Sequence, residues 1–460
     1  MAGSNNEELV KRIARLAKQN QELEEQVRKL EKINEKLTSD IEKSKTLFDK
    51  LSPVVSKEVS LKFNMATVLY GDIHGFSRHI EGMDSSAVMD ELDEILFEFD
   101  AIVKRFKIEK IKTIGDTYMC AGGIPVKNIT NPVDVVMAAM EMRNFLEKYE
   151  LNKRGKDNRI WDLKIGVHTG PVTATISGKK KVNYEIKGDT VNTASRVEAV
   201  SDNGTILISV MTYELVKEFF DCEYFGKLPV KYKGDLQMYK VIGLKPEFSV
   251  NWGRVLPNDS FRIKFGLIQF TDIQEIILDK LEKELPDYLF YHNVKHTVDV
   301  VTEVELIGWG EGCTDEEILL LKTAGLFHDA GHTIAYDNHE FYGTQIAKEM
   351  LPEYNYSQAQ IDRICSIIMS TKLPPKPTDL LENIICDSDL DYLGRSDFIP
   401  VSNTLYEELK AQNKMGSLND WNKIQVKFIS GHQYFTKTAR SLREVNKQLQ
   451  IERIQSLITE

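Results

Sequence analysis

Residues 65–73 read MATVLYGDI. An apolar, β-branched run stops at Asp72, which predicts a buried strand delivering a carboxylate at its end. Helical spacing follows over about 85–107, with Val88, Leu92, Ile95, Leu96, Phe99, Ile102, Val103 and Phe106 on one face. Residues 108–123, IEKIKTIGDTYMCAGG, predict two short strands around Gly115-Asp116. A second helix is expected over roughly 131–149. WDLKIGVHTGPVTATIS, 161–177, predicts a strand pair turning at Gly170-Pro171. The order strand–helix–strand–strand–helix–strand is the ferredoxin-like βαββαβ arrangement.

The two aspartates matter because of where they stand. Asp72 and Asp116 end apolar strands, one of them beside a glycine turn. Carboxylates so placed can hold two hard cations against a triphosphate. Downstream, YEIKGDTVNTASRVE (184–198) puts Asn192 and Arg196 four residues apart, on one face of a helix. An amide and a guanidinium on one face can grip a ribose oxygen and a phosphoryl oxygen together.

The segments VLYGDIHGFS, EKIKTIGDTYMCAGG, KIGVHTGPVTA, IKGDTVNTASR and PVKYKGDLQMYKV occur in this order over about residues 60–245. Together they resemble the class III nucleotidyl cyclases. The resemblance implies conversion of a nucleoside triphosphate to a 3′,5′-cyclic monophosphate and pyrophosphate. It also implies that Asp72 and Asp116 hold two Mg²⁺ or Mn²⁺ ions, with the Ile73 carbonyl assisting. Asn192 would orient the ribose and Arg196 would stabilise charge on the α-phosphoryl oxygens. Lys231 would bind the outer phosphates, with Lys233 as its alternative in PVKYKG. In that family the site lies between two catalytic domains, so a chain carrying both halves needs a homodimer with two equivalent sites. The family's base-reading positions fall on Lys112 and Glu185. This pair departs from the family's usual combinations at the second position. Lys112 can donate to adenine N1 and Glu185 can accept from the N6 amino group, but the same pair suits guanine O6 and N1–H. ATP is the favoured substrate and GTP the alternative, because Glu185 keeps the acceptor chemistry of the aspartate common in adenine-specific members.

Ahead of this region the sequence reads as a coiled coil. With Ile13 at heptad position a, the a positions are Ile13, Asn20, Val27, Asn34, Ile41 and Phe48; the d positions are Leu9, Leu16, Leu23, Leu30, Leu37, Ser44 and Leu51. Leucine at d with β-branched residues at a favours two parallel strands, and each Asn at a asks for an Asn opposite it. The expectation is a parallel homodimer over residues 1–52, ended by Pro53. Such a helix raises the effective concentration of two cyclase halves. The cyclase region then spans 53–245. KPEFSVNWGRVLPNDS follows with two prolines and little periodicity, which suggests a linker over 246–260.

From 261 to 460 the pattern is almost wholly helical. Five of the chain's 9 histidines, His292, His296, His328, His332 and His339, fall in this region within one short window. His292 and His296 in YHNVKHTVDV are four apart, on one helical face. His328 and Asp329 are adjacent in LFHDAGH, and an acidic group follows in CDSDLD, 386–391. Mixed His/Asp donors suit a divalent metal with open water positions rather than a closed structural zinc. The pattern H…HD…D resembles the HD-domain metal-dependent phosphohydrolases, and its local motifs resemble those of cyclic nucleotide phosphodiesterases. The resemblance implies that His296, His328, Asp329 and Asp389 bind a divalent metal (Mn, Mg, Fe or Zn), with Asp387 as the alternative to Asp389. His292 would donate a proton to the leaving oxygen. His332 and His339 would serve a second metal or stand behind the first.

Composition excludes other classes. Lys+Arg 59 against Asp+Glu 70 gives a net charge of −11, which argues against a nucleic-acid coat or a polybasic membrane anchor. Hydrophobic residues at 42% provide packed cores. The 5 cysteines are scattered with no CxxC pair, as free thiols in a reducing compartment would be. The first residues lack an apolar signal region, and no run approaches the ~20 apolar residues of a membrane span. The whole is expected to be a cytoplasmic, multidomain α+β enzyme: coiled coil, ferredoxin-like cyclase domain and all-α HD domain. The favoured reading is an adenylate cyclase whose HD domain hydrolyses a phosphoester. The rivals are a guanylate cyclase, an enzyme whose main activity is the HD phosphodiesterase, and a non-catalytic nucleotide-binding module.

Overall fold

The computed structural model describes residues 59–74, 85–154, 160–177, 183–230 and 234–459. The expected coiled coil over 1–52 and Lys231 with Lys233 lie outside the described residues. The described residues begin with β1 (Val59–His74), α1 (Ser85–Arg105), β2 (Glu109–Ile114), β3 (Thr117–Gly122), α2 (Asn131–Arg154) and β4 (Asp162–Ser177). β5 (Asn183–Lys187), α3 (Asp189–Ala199), β6 (Ile206–Ser209), α4 (Val210–Val216), β7 (Phe220–Val230) and β8 (Gly234–Leu244) follow. The strands form one sheet in the order β2-β3-β1-β4-β6-β8-β7, with β5 paired to β4. Its first four positions reproduce the ferredoxin-like order. β1 runs antiparallel to β3 with Asp72 opposite Thr117, and β2 pairs antiparallel with β3.

Periodicity placed the helices because it determines what they bury. Val88, Leu92, Ile95, Phe99, Ile102 and Val103 are buried along α1, packed with Tyr118 of β3 and Met140 of α2 in a single core. Each fully buried side chain of this size contributes about 1.5–3 kcal/mol. One expectation fails: Gly170-Pro171 makes no turn. β4 runs through it as one strand from Asp162 to Ser177. Proline is tolerated where its missing N–H costs no ladder bond. The larger compact unit comprises residues 62–173 and 186–460. Of the described residues, 174–177 and 183–185 group with 59–61, where the Ser60 and Thr175 hydroxyls lie 3.4 Å apart.

After β8, short 3₁₀ turns at Pro246–Phe248 and Val250–Trp252 lead to α5 (Asp259–Glu284), capped by the Asn258 side chain, which accepts from Phe261 N. The described residues beyond are helical: α6 (Val294–Gly310), α7 (Asp315–Phe327), α8 (His339–Met350), α9 (Gln358–Ser370), α10 (Leu380–Asp389), α11 (Phe398–Ala411), α12 (Leu418–Gly431) and α13 (Lys437–Gln455). Reciprocal capping boxes, Thr314 with Glu317 and Ser357 with Gln360, start α7 and α9. Among the described residues, no helix is long and apolar enough to cross a membrane, and all five cysteines are free thiols.

α5 belongs to both halves of this unit. Phe261 is buried in the core under the sheet, whereas Phe270, Ile273, Ile277 and Leu281 are buried in the helical core. Both oxygens of Asp272 accept from Ile129 N, at 3.0 and 3.2 Å. Burial pushes the Asp272 carboxyl up to about 6, and burial together with Asp272 pushes Asp134 up to about 7. Folding raises both groups, so their contribution is complete below about pH 4 and is lost as pH climbs through about 7. Asp134→Asn should therefore raise the melting midpoint of the full chain at pH 8 and leave it unchanged near pH 4. A calorimetric scan at the two pH values checks this, and an equal effect at both would remove the carboxyl from the explanation.

Candidate active site and metal centre

The strand ends bring the first carboxylates together. Asp72 makes the last pair of β1 with β3, shortly before β1 ends at His74, and the Thr117 hydroxyl donates to its Oδ1 at 3.3 Å. Ile73, fully buried, donates its N–H to the Asp116 carbonyl at 3.1 Å, which fixes the β2–β3 turn against β1. That turn requires Gly115, whose φ is +62°. A third carboxylate, absent from the sequence reading, joins them. Glu198 is pushed up to about 7 by burial, then by Asp72, with Asp116 adding to the effect and Lys164 opposing it. Its helix packs so tightly that a Cβ on Gly166 would lie 2.1 Å from Glu198 N. Glu198 follows Arg196 by two residues, and the approach of α3 to β4 turns it inward. Carboxylates gathered in this way are a donor set suited to divalent cations.

Asn192 and Arg196 stand on the opposite side of α3. Thr190, Thr193, Ala194 and Val197 are its buried positions, while Asn192 and Arg196 are exposed. Lys112, on β2, and Glu185, on β5, are also exposed. They fall in different compact units, so no base-reading pair is defined within one body.

The second cluster is assembled by helix ends. Asn293 caps α6 by accepting from His296 N, so the helix starts at Val294. His292 therefore precedes it, and the two histidines do not share a helical face as their spacing suggested. Their rings still approach to 6.0 Å, at 89°. His328 caps the C-terminus of α7, and Asp389 ends α10. His296 Nε2 lies 3.1 Å from Asp389 Oδ1 and 3.4 Å from Asp329 Oδ2. His328 Nε2 lies 3.3 Å from Asp329 Oδ2 and 3.5 Å from Asp389 Oδ1. His328 Nδ1 donates to the Gly325 carbonyl at 2.8 Å, which turns Nε2 toward the carboxylates. This is the arrangement that orients an imidazole for a metal.

A second group adjoins the first through Asp329. Its Oδ1 lies 3.5 Å from His339 Nε2 and 3.9 Å from His332 Nε2. His339 Nδ1 donates to the Tyr336 carbonyl at 3.0 Å. Both ring nitrogens of His332, and Asp329 Oδ2, are buried without a hydrogen-bond partner. Burial pushes His332 down to about 3, so its imidazole is neutral and keeps a free lone pair. Burial also disfavours charge on His328 and Asp329, but their mutual attraction prevails: His328 rises well above, and Asp329 falls well below, the ordinary range. Orphaned imidazole nitrogens beside ionised carboxylates fit a divalent cation.

Asp387 and Asp389 of DSDLD differ in their partners. Asp387 accepts from Phe435 N, Thr436 N and the Thr436 hydroxyl at 2.7–2.8 Å, which ties down the start of α13. Asp389 faces the imidazoles. Glu408 is the other residue that the sequence did not reveal. It is fully buried; its Oε2 accepts from Tyr291 N and His292 N at 2.9 and 3.1 Å, and its Oε1 lies 2.5 Å from His292 Nδ1. It raises the His292 pKa against burial. In YEELK it resembles any surface charge, and its partner lies 116 residues away.

Comparisons with known proteins agree with this architecture. Residues 58–243 match the adenylate and guanylate cyclase catalytic domain, and residues 293–391 match the HD domain. Receptor-type guanylate cyclase gcy-8 of Caenorhabditis elegans is 34% identical over 42% of this chain and 17% of its own length. An adenylate cyclase of Mycobacterium tuberculosis is 32% identical over 40% of this chain and 41% of its own. The chain thus spans well under half the length of these curated relatives. The guanylate cyclase domain of RhGC from Catenaria anguillulae, solved with GTP, is 31% identical with a TM-score of 0.37, covering 40% of this chain and 100% of that one. This chain carries a class III adenylate/guanylate cyclase catalytic domain followed by an HD domain.

Proposed function

We propose that the chain is an adenylate cyclase acting as a parallel homodimer, with an HD domain that hydrolyses a phosphoester, a cyclic nucleotide being the favoured substrate. The observation that carries the dimer is the division of α3. Glu198 approaches Asp72 and Asp116, while Asn192 and Arg196 are exposed on the other face. A site needing all of them takes the carboxylates from one chain and the amide and guanidinium from its partner.

Asp72 and Asp116, with the Ile73 carbonyl, would hold two Mg²⁺ or Mn²⁺ ions, which acidify the ribose 3′-hydroxyl and neutralise the β- and γ-phosphates. Asn192 of the opposite chain orients the ribose so that O3′ lies in line with the α-phosphorus. Arg196 stabilises the charge that builds on the α-phosphoryl oxygens as pyrophosphate leaves. Lys112 donates to adenine N1, Glu185 accepts from N6, and Lys231 binds the outer phosphates. The same Lys112 and Glu185 chemistry accommodates guanine, and the cyclase domain is similar to guanylate as well as adenylate cyclases. Guanylate cyclase is therefore the second reading.

In the HD domain, His296, His328, Asp329 and Asp389 would hold a divalent cation that polarises the phosphoester and acidifies water. Asp329 extends to His332 and His339, which would serve a second cation. His292 protonates the leaving oxygen from Nε2, because Glu408 occupies Nδ1.

Three outcomes test these assignments. Asp116→Ala should abolish cyclisation while hydrolysis persists, and Asp329→Ala should abolish hydrolysis while cyclisation persists; loss of both activities in either variant would contradict separate sites. Inactive Asp116→Ala and Arg196→Ala chains, mixed equally and allowed to exchange, should recover about a quarter of wild-type cyclase activity, since half the dimers hold one intact site. No recovery would place both groups on one chain. Glu408→Gln should lower the hydrolytic kcat by roughly 10–100-fold and move the alkaline limb of its pH profile to lower pH. An unchanged profile would remove His292 as the acid.

A further inference from the structure

We infer that α5 couples the two centres: a cation in the His/Asp cluster of the helical half is felt, through Asp272, at the loop that joins the aspartate-bearing strands to α2. The inference rests on reading that cluster as a metal centre, and it makes the HD domain an input to the cyclase besides any hydrolytic role.

The path is continuous in side chains. α7 ends at His328 and Asp329, so the position of these residues follows that of α7. α7 packs on α5 with little slack: a Cβ on Gly266 would lie 2.8 Å from Leu319 Cδ2. Toward its N-terminus, α5 enters the core beneath the sheet. The Phe261 ring lies 5.1 Å from Phe219 at 64°, and Lys264 pairs with Glu218 at 3.1 Å while lying over the Phe248 ring. In its middle, the Asp272 carboxylate grips the Ile129 amide.

Ile129 lies in the segment between β3 and α2. Asn131, which opens α2, accepts from the Thr67 hydroxyl on β1 at 2.6 Å and donates to the Asn128 carbonyl at 2.6 Å. Thr67 pairs with Gly122, at the other end of the ladder whose last pair is Asp72 with Thr117. Asp272 therefore clamps the shared base of the two strands whose tips carry Asp72 and Asp116. A second tie runs parallel to it. Lys107, just before β2, bonds Glu353 Oε2 at 3.1 Å and lies over the Tyr354 ring. That turn follows α8, which begins at His339.

A cation drawing His296, His328, Asp329 and Asp389 together fixes the ends of α6, α7 and α10 relative to one another. The bed of α5 stiffens, and the Ile129 amide is held longer on Asp272. Coupling of this kind is reciprocal, so nucleotide bound at the cyclase aspartates tightens the cation in the helical half.

Hydrogen exchange of residues 123–134 in the full chain, with and without Mn²⁺ alone, tests the inference. Calorimetry on the same samples reports Mn²⁺ affinity. Mn²⁺ should slow exchange of this segment roughly fivefold or more in the wild type. The slowing should persist in Asp72→Asn, which removes a cyclase carboxylate, and vanish in Asp329→Asn. Asp272→Asn, which keeps the side chain's shape, should lose the response while still binding Mn²⁺ in the helical half as the wild type does. Lys107→Met, on the second tie, should weaken the response. Mn²⁺ binding that leaves exchange unchanged in the wild type would overturn the coupling, as would a full response in both Asp272→Asn and Asp272→Ala. Absence of Mn²⁺ binding in the wild type would instead overturn the metal-centre reading, and the coupling with it.

Discussion

Asp329 lies within 3.5 Å of three imidazole nitrogens, and Asp389 within 3.5 Å of two. Carboxylates this close together and this far from water require positive charge between them, since an isolated buried carboxylate is strongly disfavoured. Much of the helical half serves that requirement. α6 starts and α7 and α10 end at the cluster, backbone carbonyls orient His328 and His339, and Asp387 and Glu408 anchor the flanking segments. The sheet half meets the same constraint with strands. Asp72 and Asp116 come together because β1 and β3 are registered neighbours, and burial, then Asp72 and Asp116, push the Glu198 carboxyl up.

The two halves share a helix. Phe261 completes the core under the sheet and Phe270 begins the helical one, about two and a half turns further along an unbroken α5. The region between β8 and α5 lacks hydrophobic periodicity, yet it is ordered by 3₁₀ turns, the Ser249–Pro257 bridge and the Asn258 cap. Whatever loosens α5 therefore acts on both cores.

The sequence made legible what depends on local pattern. An apolar run ending in Asp72 is a strand whatever its neighbours, and the 3.6-residue spacing along α1 could bury only one face. The His/Asp cluster was visible because few structural roles need so many imidazoles so close in sequence. What escaped notice depends on tertiary approach. Glu198 and Glu408 have the local context of solvated charges and become site residues only because α3 meets Gly166 and α11 meets the Tyr291–His292 backbone. The same holds for smaller departures. Spacing alone put His292 on a helical face, but the Asn293 cap starts the helix after it. Asp387 and Asp389 were equivalent by composition and are distinguished by the backbone donors of a segment almost fifty residues downstream.

On the proposed reading, this chain would make a cyclic nucleotide from ATP. Purified full-length protein incubated with Mn²⁺ and either ATP or GTP, with all nucleotide products and pyrophosphate resolved over time, tests it most directly. The expected products are 3′,5′-cyclic AMP with equimolar pyrophosphate from ATP, and AMP as the cyclic AMP later decays. Cyclic GMP from GTP with no cyclic AMP from ATP would contradict the assignment of Lys112 and Glu185 to adenine. No cyclic product from either triphosphate would contradict the cyclase assignment itself.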